Sequence, residues 1–75
     1  EGWSLAICEG LRFGLPVVAF DCEFGPSDII VDERIGRLVA LDDVAGFVAA
    51  MIYYHDNVAA ERRHAEYRAR YIDQF

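Results

Sequence analysis

Two glutamates, Glu1 and Glu9, stand eight positions apart in the stretch Glu1-Gly2-Trp3-Ser4-Leu5-Ala6-Ile7-Cys8-Glu9. The first lies in a glycine-containing loop. The second falls about one turn inside an apolar run that reads as a buried helix from Ser4 to Phe13, with Ser4 placed to cap it and Gly14 to stop it. A loop that ends at a helix N-terminus presents unpaired backbone N–H groups and the positive end of the helix dipole. Here that makes a ready site for a diphosphate at the amides near Ser4 and Leu5. A carboxylate farther along the same helix, such as Glu9, is placed to accept hydrogen bonds from two neighbouring hydroxyls, as on a ribose.

The carboxylates also have plainer readings. A glutamate in an apolar helix is costly unless paired, because its charged form loses hydration that packing does not replace. Glu9 then pairs with Arg12 or a backbone group, and Glu1 is simply exposed. A glycosidase acid and nucleophile need carboxyl groups roughly 5 to 9.5 Å apart. Eight residues of continuous helix would separate this pair by about 12 Å, a spread that suits contacts along a ligand better. Asp21 closes a strand at its carboxyl end, where α/β sheets bind ligands, and is expected to cap a turn. Cys8 and Cys22 have neither C-x-x-C nor metal-ligand spacing and read as buried free thiols. His55 and His64 sit on separate predicted helices and fit no ligand pattern.

The elements that must position these residues follow from pattern. Val17-Val18-Ala19-Phe20 is a short continuous apolar run of the kind found in parallel strands covered on both faces. Pro26 opens a short helix over Ser27-Asp28-Ile29-Ile30, and Gly36 precedes a second strand, Arg37 to Leu41. Asp42 and Asp43 offer an N-cap to a helix whose Val44, Phe47, Val48, Met51 and Ile52 share one face and are expected to pack on the sheet. Asn57 caps a last helix running to about Tyr71, in which Arg62, Glu66 and Arg70 stand four apart on a solvated face and the arginines serve solubility. Helix, strand, short helix, strand, helix, helix predicts an α/β layer with a mostly parallel sheet. Two strands alone leave open edges, so further strands are expected from residues before Glu1.

Composition narrows the function classes. A chain of 75 residues that is 55% apolar builds one small core and reads as part of something larger, since it opens at Glu1 and has Met51 as its only methionine. No leader is visible, and charges interrupt every apolar run before it could span a bilayer. The net charge of −6 opposes docking on nucleic acid or an anionic membrane. Free cysteines fit a reducing, cytoplasmic compartment.

The segment E-G-W-S-L-A-I-C-E, followed by G-L-P-V-V-A-F-D-C and G-P-S-D-I-I, resembles the group 1 family of retaining GT-B glycosyltransferases, whose signature is Glu, seven residues, Glu. Gly36-Arg37-Leu38-Val39 resembles the family's N-G-L-L-V strand, and the likeness continues through the Asp42 to Ile52 helix, so only the last helix is generic. The resemblance implies a Rossmann-like three-layer parallel sheet, here the incomplete C-terminal half of a GT-B enzyme. It places Glu1 on the hydroxyls of the transferred sugar, Glu9 on the nucleotide ribose, and Gly2, Trp3, Ser4 and Leu5 along sugar and diphosphate. It further implies a hexosyltransferase using a nucleotide-sugar, UDP-linked by commonest usage, with retention at the anomeric carbon and no required metal or other cofactor. The acceptor would be a glycan or lipid in polysaccharide or glycoconjugate synthesis. The family's upstream arginine and lysine and its N-terminal acceptor domain are absent, so transfer belongs to a longer chain, and peripheral membrane association is expected only through that N-terminal domain. Trp3 and Ser4 replace the commoner Phe-Gly, and Glu33-Arg34 replaces an Asp-Gly-like turn. The alternatives are a nucleotide-sugar epimerase or phosphorylase on the same architecture, or a non-catalytic GT-B-like interaction domain.

Overall fold

One glycine ends the first helix and starts the turn into the sheet. In the computed structural model, which describes residues 2–22 and 25–75 and the side chains of 5–22 and 25–75, helix α1 spans Gly2–Arg12. It closes in a Schellman arrangement: Gly14 N–H donates to the Leu11 carbonyl at 2.9 Å and Leu15 N–H to that of Gly10 at 3.0 Å. Gly14 has φ +80°, and a Cβ there would stand 2.8 Å from that of Ala65, so both conformation and space require glycine. The turn feeds β1 (Val17–Phe20). Pro26 then starts the four-residue α2 (Pro26–Ile29), as expected.

Strand β2 (Gly36–Val39) pairs with β1 in parallel, in register from Val17↔Gly36 to Phe20↔Val39. It ends two residues before the expected Leu41, because Asp42, at φ +70°, turns the chain away. Gly36 is required by proximity, since a Cβ would run into the Val17 carbonyl. Asp43 caps α3 (Val44–Asp56) by accepting from Gly46 N–H at 3.0 Å. The last expected helix is instead three pieces: α4 (Val58–Glu61), a 3-10 turn (Arg62–His64) and α5 (Ala65–Ile72). Asn57 does not cap it; its side chain donates back to the Tyr53 carbonyl at 2.8 Å, binding it to the end of α3.

The predicted Rossmann-like α/β layering is present, with helices on both faces of a two-stranded parallel sheet. On one face Ile7 and Leu11 of α1, Ile72 of α5, Ile30 and Ile35 form the buried core, against which Val17, Ala19 and Leu38 pack. On the other, Phe20 stacks on Phe47 of α3 with ring centroids 4.6 Å apart, Ala50 is buried, and the Arg37 guanidinium lies 4.1 Å from the Tyr53 ring centroid. The stripe predicted to be core on α3 is a correction: of its five residues only Phe47 packs on the sheet, and Val44, Val48, Met51 and Ile52 are exposed. The helix is apolar on nearly every face, and two strands are too narrow to cover the whole stripe. Each strand residue is likewise half-buried or buried rather than covered on both faces throughout.

The arginines of the C-terminal segment are not all solubility residues. Arg70 does pair with Glu66 four positions earlier on an exposed face, a contact of small worth. Arg68, however, is 1% exposed. Its Nε donates to the Arg34 carbonyl at 2.6 Å, its Nη1 to the carbonyls of Gly14 and Glu61, each at 3.1 Å, and its Nη2 to the Glu61 carboxylate. Glu61 is completed by the Tyr53 hydroxyl at 2.8 Å. Burial pushes the Glu61 carboxyl up, but hydrogen bonds from Tyr53 and Arg68 outweigh it and hold the group below its ordinary value. The Glu33-Arg34 turn is ordered by a neighbour, since Asp32 accepts from Arg34 N–H at 2.8 Å and from the Tyr67 hydroxyl at 3.1 Å. Asp32 is held low for the same reason, its hydrogen bonds outweighing burial.

Arg68→Ala would leave Glu61 uncompensated, a loss of about 3–5 kcal/mol for a buried pair. Hydrogen-exchange mass spectrometry is expected to show the amides of α5 and the C-terminal turn of α1 exchanging at least about a hundredfold faster. Because Glu61 and Asp32 have depressed folded values, their contribution is complete above the ordinary carboxylate range and disappears as pH falls through the folded values. Acid titration followed by circular dichroism should therefore show helix loss below about pH 4, with a shallower acid dependence in Glu61→Gln than in the parent sequence.

Candidate functional site

Helix α1 carries Glu9, the second glutamate of the motif, on its outer side. Ile7 and Leu11, one turn apart, take the core, and Glu9 is two residues from each, so it projects about 200° away round the helix. Glu9 is accordingly exposed, which corrects its expected burial. Its carboxylate keeps its hydration and needs no compensating partner; among the described residues no ion pair joins it to Arg12. Leu5, one turn earlier on the same side, is 64% exposed. The two thus form part of one outward face of α1, together with Ala6 and Arg12.

The expected loop from Gly2 to Leu5 is helical instead: α1 already includes Gly2, Trp3 and Ser4, so Ser4 is inside the helix rather than its N-cap. Nothing in Gly2-Trp3 forbids helical dihedrals, and the strong helix formers that follow carry the helix back by half a turn. The N-terminal end of the helix, where a diphosphate was expected at Ser4, therefore lies at Gly2. Glu1 lies outside the described residues, and so do the side chains of Gly2, Trp3 and Ser4.

Beside α1, the free side of β1 opens a cleft of about 510 Å³ bounded by Ala6, Ile7, Cys22, Pro26 and the strand itself. It reaches the carboxyl end of the strand, where Asp21 is exposed and its N–H donates to the Val39 carbonyl at 2.7 Å. This bond comes from the Asp21 backbone and extends the ladder by one residue; it does not bear on the turn-capping role expected of the side chain. Leu5 and Glu9 do not line this cleft. Cys8 and Cys22 are free and half-buried. No group of three or more metal-ligating side chains is found among the described residues, and no described helix is long and apolar enough to cross a membrane.

Glu9 thus stands on the outer side of the helix that feeds the first strand of a parallel α/β layer. The family model for glycosyl transferases group 1 matches residues 1–57. The chain belongs to this family. It is 39% identical over 54 residues to a lipopolysaccharide 1,6-galactosyltransferase of Escherichia coli (strain K12), covering 72% of this chain and 15% of that protein. It is 38% identical over 64 residues to a poly(ribitol-phosphate) alpha-N-acetylglucosaminyltransferase of Staphylococcus aureus (strain COL), covering 81% of this chain and 13% of that protein. An amylovoran biosynthesis glycosyltransferase of Erwinia amylovora is 42% identical over 33 residues, which is 44% of this chain and 9% of that protein. The chain thus spans a small fraction of the length of these glycosyltransferase relatives. No solved structure matches it significantly. The family match takes in α1, both strands and α3 but stops at Asn57, before Glu61 and Arg68.

Sequence reading missed Arg68. The signal was present: Ala65, Arg68 and Ile72 are spaced 3 and 4 apart, so the arginine occupies an apolar-stripe position. Because Glu9 makes no buried contact, Glu9→Ala is expected to leave thermal stability within about 0.5 kcal/mol of the parent sequence. Differential scanning calorimetry of the two proteins checks this.

Proposed function

We propose that this chain is the donor-binding portion of the C-terminal domain of a longer, retaining GT-B glycosyltransferase that transfers a hexose from a nucleotide-sugar. UDP-hexose is the proposed donor, and a glycan or lipid-linked acceptor in polysaccharide or glycoconjugate synthesis receives it. Glu1 faces the sugar hydroxyls, Glu9 holds the ribose, and Gly2, Trp3, Ser4 and Leu5 line sugar and diphosphate. No metal is required, because the motif supplies its contacts through carboxylates and backbone amides, and the site works in the cytoplasm. By itself this stretch is inactive.

The observation that carries the reading is the exposed Glu9 on α1, ionisable and hydrated, in a position the fold does not need for its own packing. The two bacterial relatives whose names give galactosyl and N-acetylglucosaminyl transfer support a hexosyl group. The free side of β1 supports the proposal of a larger domain. Its apolar cleft and the uncovered Val44, Val48 and Met51 are surfaces that additional strands of the longer protein would bury. That same exposed stripe favours the alternative, a GT-B-like domain kept for contact with a partner.

Isothermal titration of the full-length protein with UDP-, GDP- and ADP-sugars, without added metal, tests the proposal. One nucleotide class is expected to bind, and Glu9→Ala to weaken it roughly ten- to a hundredfold, the worth of hydrogen bonds to a charged acceptor. Glu1→Ala is expected to reduce turnover more than nucleotide binding. Binding of no nucleotide-sugar at all would select the interaction domain instead.

A further inference from the structure

The α1 helix is held at its C-terminal end by a device that the donor-site reading does not use. Gly14, the residue that terminates α1, spends its N–H on the Schellman closure and offers its carbonyl to Arg68 Nη1 at 3.1 Å. The Nε of the same guanidinium bonds the Arg34 carbonyl at 2.6 Å, two residues before β2 begins. A single rigid fork therefore spans the entries to both strands. Its charge is answered by Glu61, whose carboxylate is only 12% exposed. Ala65 of α5 packs against Gly14 so closely that glycine is the only side chain that fits, and Ile72 shares the core with Ile7 and Leu11.

We infer that Arg68 is a positioning residue for the donor site: by fixing the end of α1 against the strand entries, it sets where the outward face carrying Glu9 stands. This rests on the donor-site reading above. A helix is stiff along its axis, so a shift at Gly14 is transmitted to Glu9, five residues back, and on to Leu5. Misplacement by about 1 Å far from the reacting atoms is enough to cost up to about a hundredfold in a preorganised site. Lysine cannot replace the arginine, because one ammonium on a flexible stem does not bridge three carbonyls and a carboxylate in fixed geometry. Gly14→Ala disturbs the same joint from the opposite side, through its positive φ and the contact with Ala65.

The test is steady-state kinetics of the full-length enzyme, wild type against Arg68→Lys and Gly14→Ala, with donor and acceptor varied separately. The expected result in both variants is a donor KM raised about tenfold with the acceptor KM unchanged. Simple loss of folded enzyme would lower the apparent kcat and move neither KM. Glu61→Gln, which keeps an oxygen acceptor for Nη2, is expected to fall between wild type and Arg68→Lys, and it carries the same comparison should Arg68→Lys fail to accumulate. A donor KM unchanged from wild type in the folded variants would overturn the positioning role alone. A wild-type protein that neither binds nor turns over a nucleotide-sugar would overturn the donor-site reading, and this inference with it.

Discussion

The structure depends on one buried guanidinium. Arg68 gathers three segments distant in sequence: the end of α1 at Gly14, the turn before β2 at Arg34, and the end of α4 at Glu61. Each contributes a carbonyl that would otherwise be left without a donor as the chain enters or leaves a regular element. An arginine supplies this where water or a second backbone strand cannot, because its donors radiate in a plane and its charge is balanced on the spot by Glu61. The cost of burying that charge is offset by satisfying several backbone groups with one side chain. The gain is specificity of arrangement as much as stability, since an apolar residue of similar bulk would fill the space without fixing the two strand entries.

Around this joint the apolar elements arrange themselves by ordinary rules. Alternation in β1 sends Val17 and Ala19 toward α1 and α5 and Phe20 toward α3. A parallel pair needs a crossover, and among the described residues between β1 and β2 the short α2 is the one helix it contains. The motif helix consequently has one face committed to the core, through Ile7 and Leu11, and one face free, through Leu5 and Glu9. The division of labour along α1 is that of a scaffolded binding element: rigid on one side, chemically available on the other.

Much of this was legible in the residues. Val17 to Phe20 was readable as a strand because four apolar residues lie between a proline turn and Asp21, and the α3 cap was readable at Asp43 because an aspartate precedes a long apolar helix. The Glu-x7-Glu spacing pointed to the family before any coordinate did. What was not legible has physical causes. Apolar content in α1 and α3 exceeds what two strands can cover, so periodicity identified faces without saying which were occupied; Glu9 and Met51 both turned outward. Ser4 had the right chemistry for a cap, yet the helix runs back through it to Gly2 in spite of glycine's poor helix propensity. The role of Arg68 depends on partners 34 and 54 residues away, a separation that local charge patterning cannot express.

The uncovered side of β1 carries one further consequence. Val17-Val18-Ala19-Phe20 presents backbone donors and acceptors along an edge with no lysine, proline or bulge to discourage pairing. Apolar residues elsewhere on α1 and α3, such as Leu5 and Met51, also face solvent. Separated copies of this stretch therefore possess the ingredients for intermolecular sheet growth, and mutual repulsion from a net charge of −6 acts over roughly a Debye length, about 8 Å in physiological salt. Colloidal behaviour of the isolated segment is thus governed by what lies beside its outer strand, and handling it in dilute, low-salt solution is the condition under which its charge counts most.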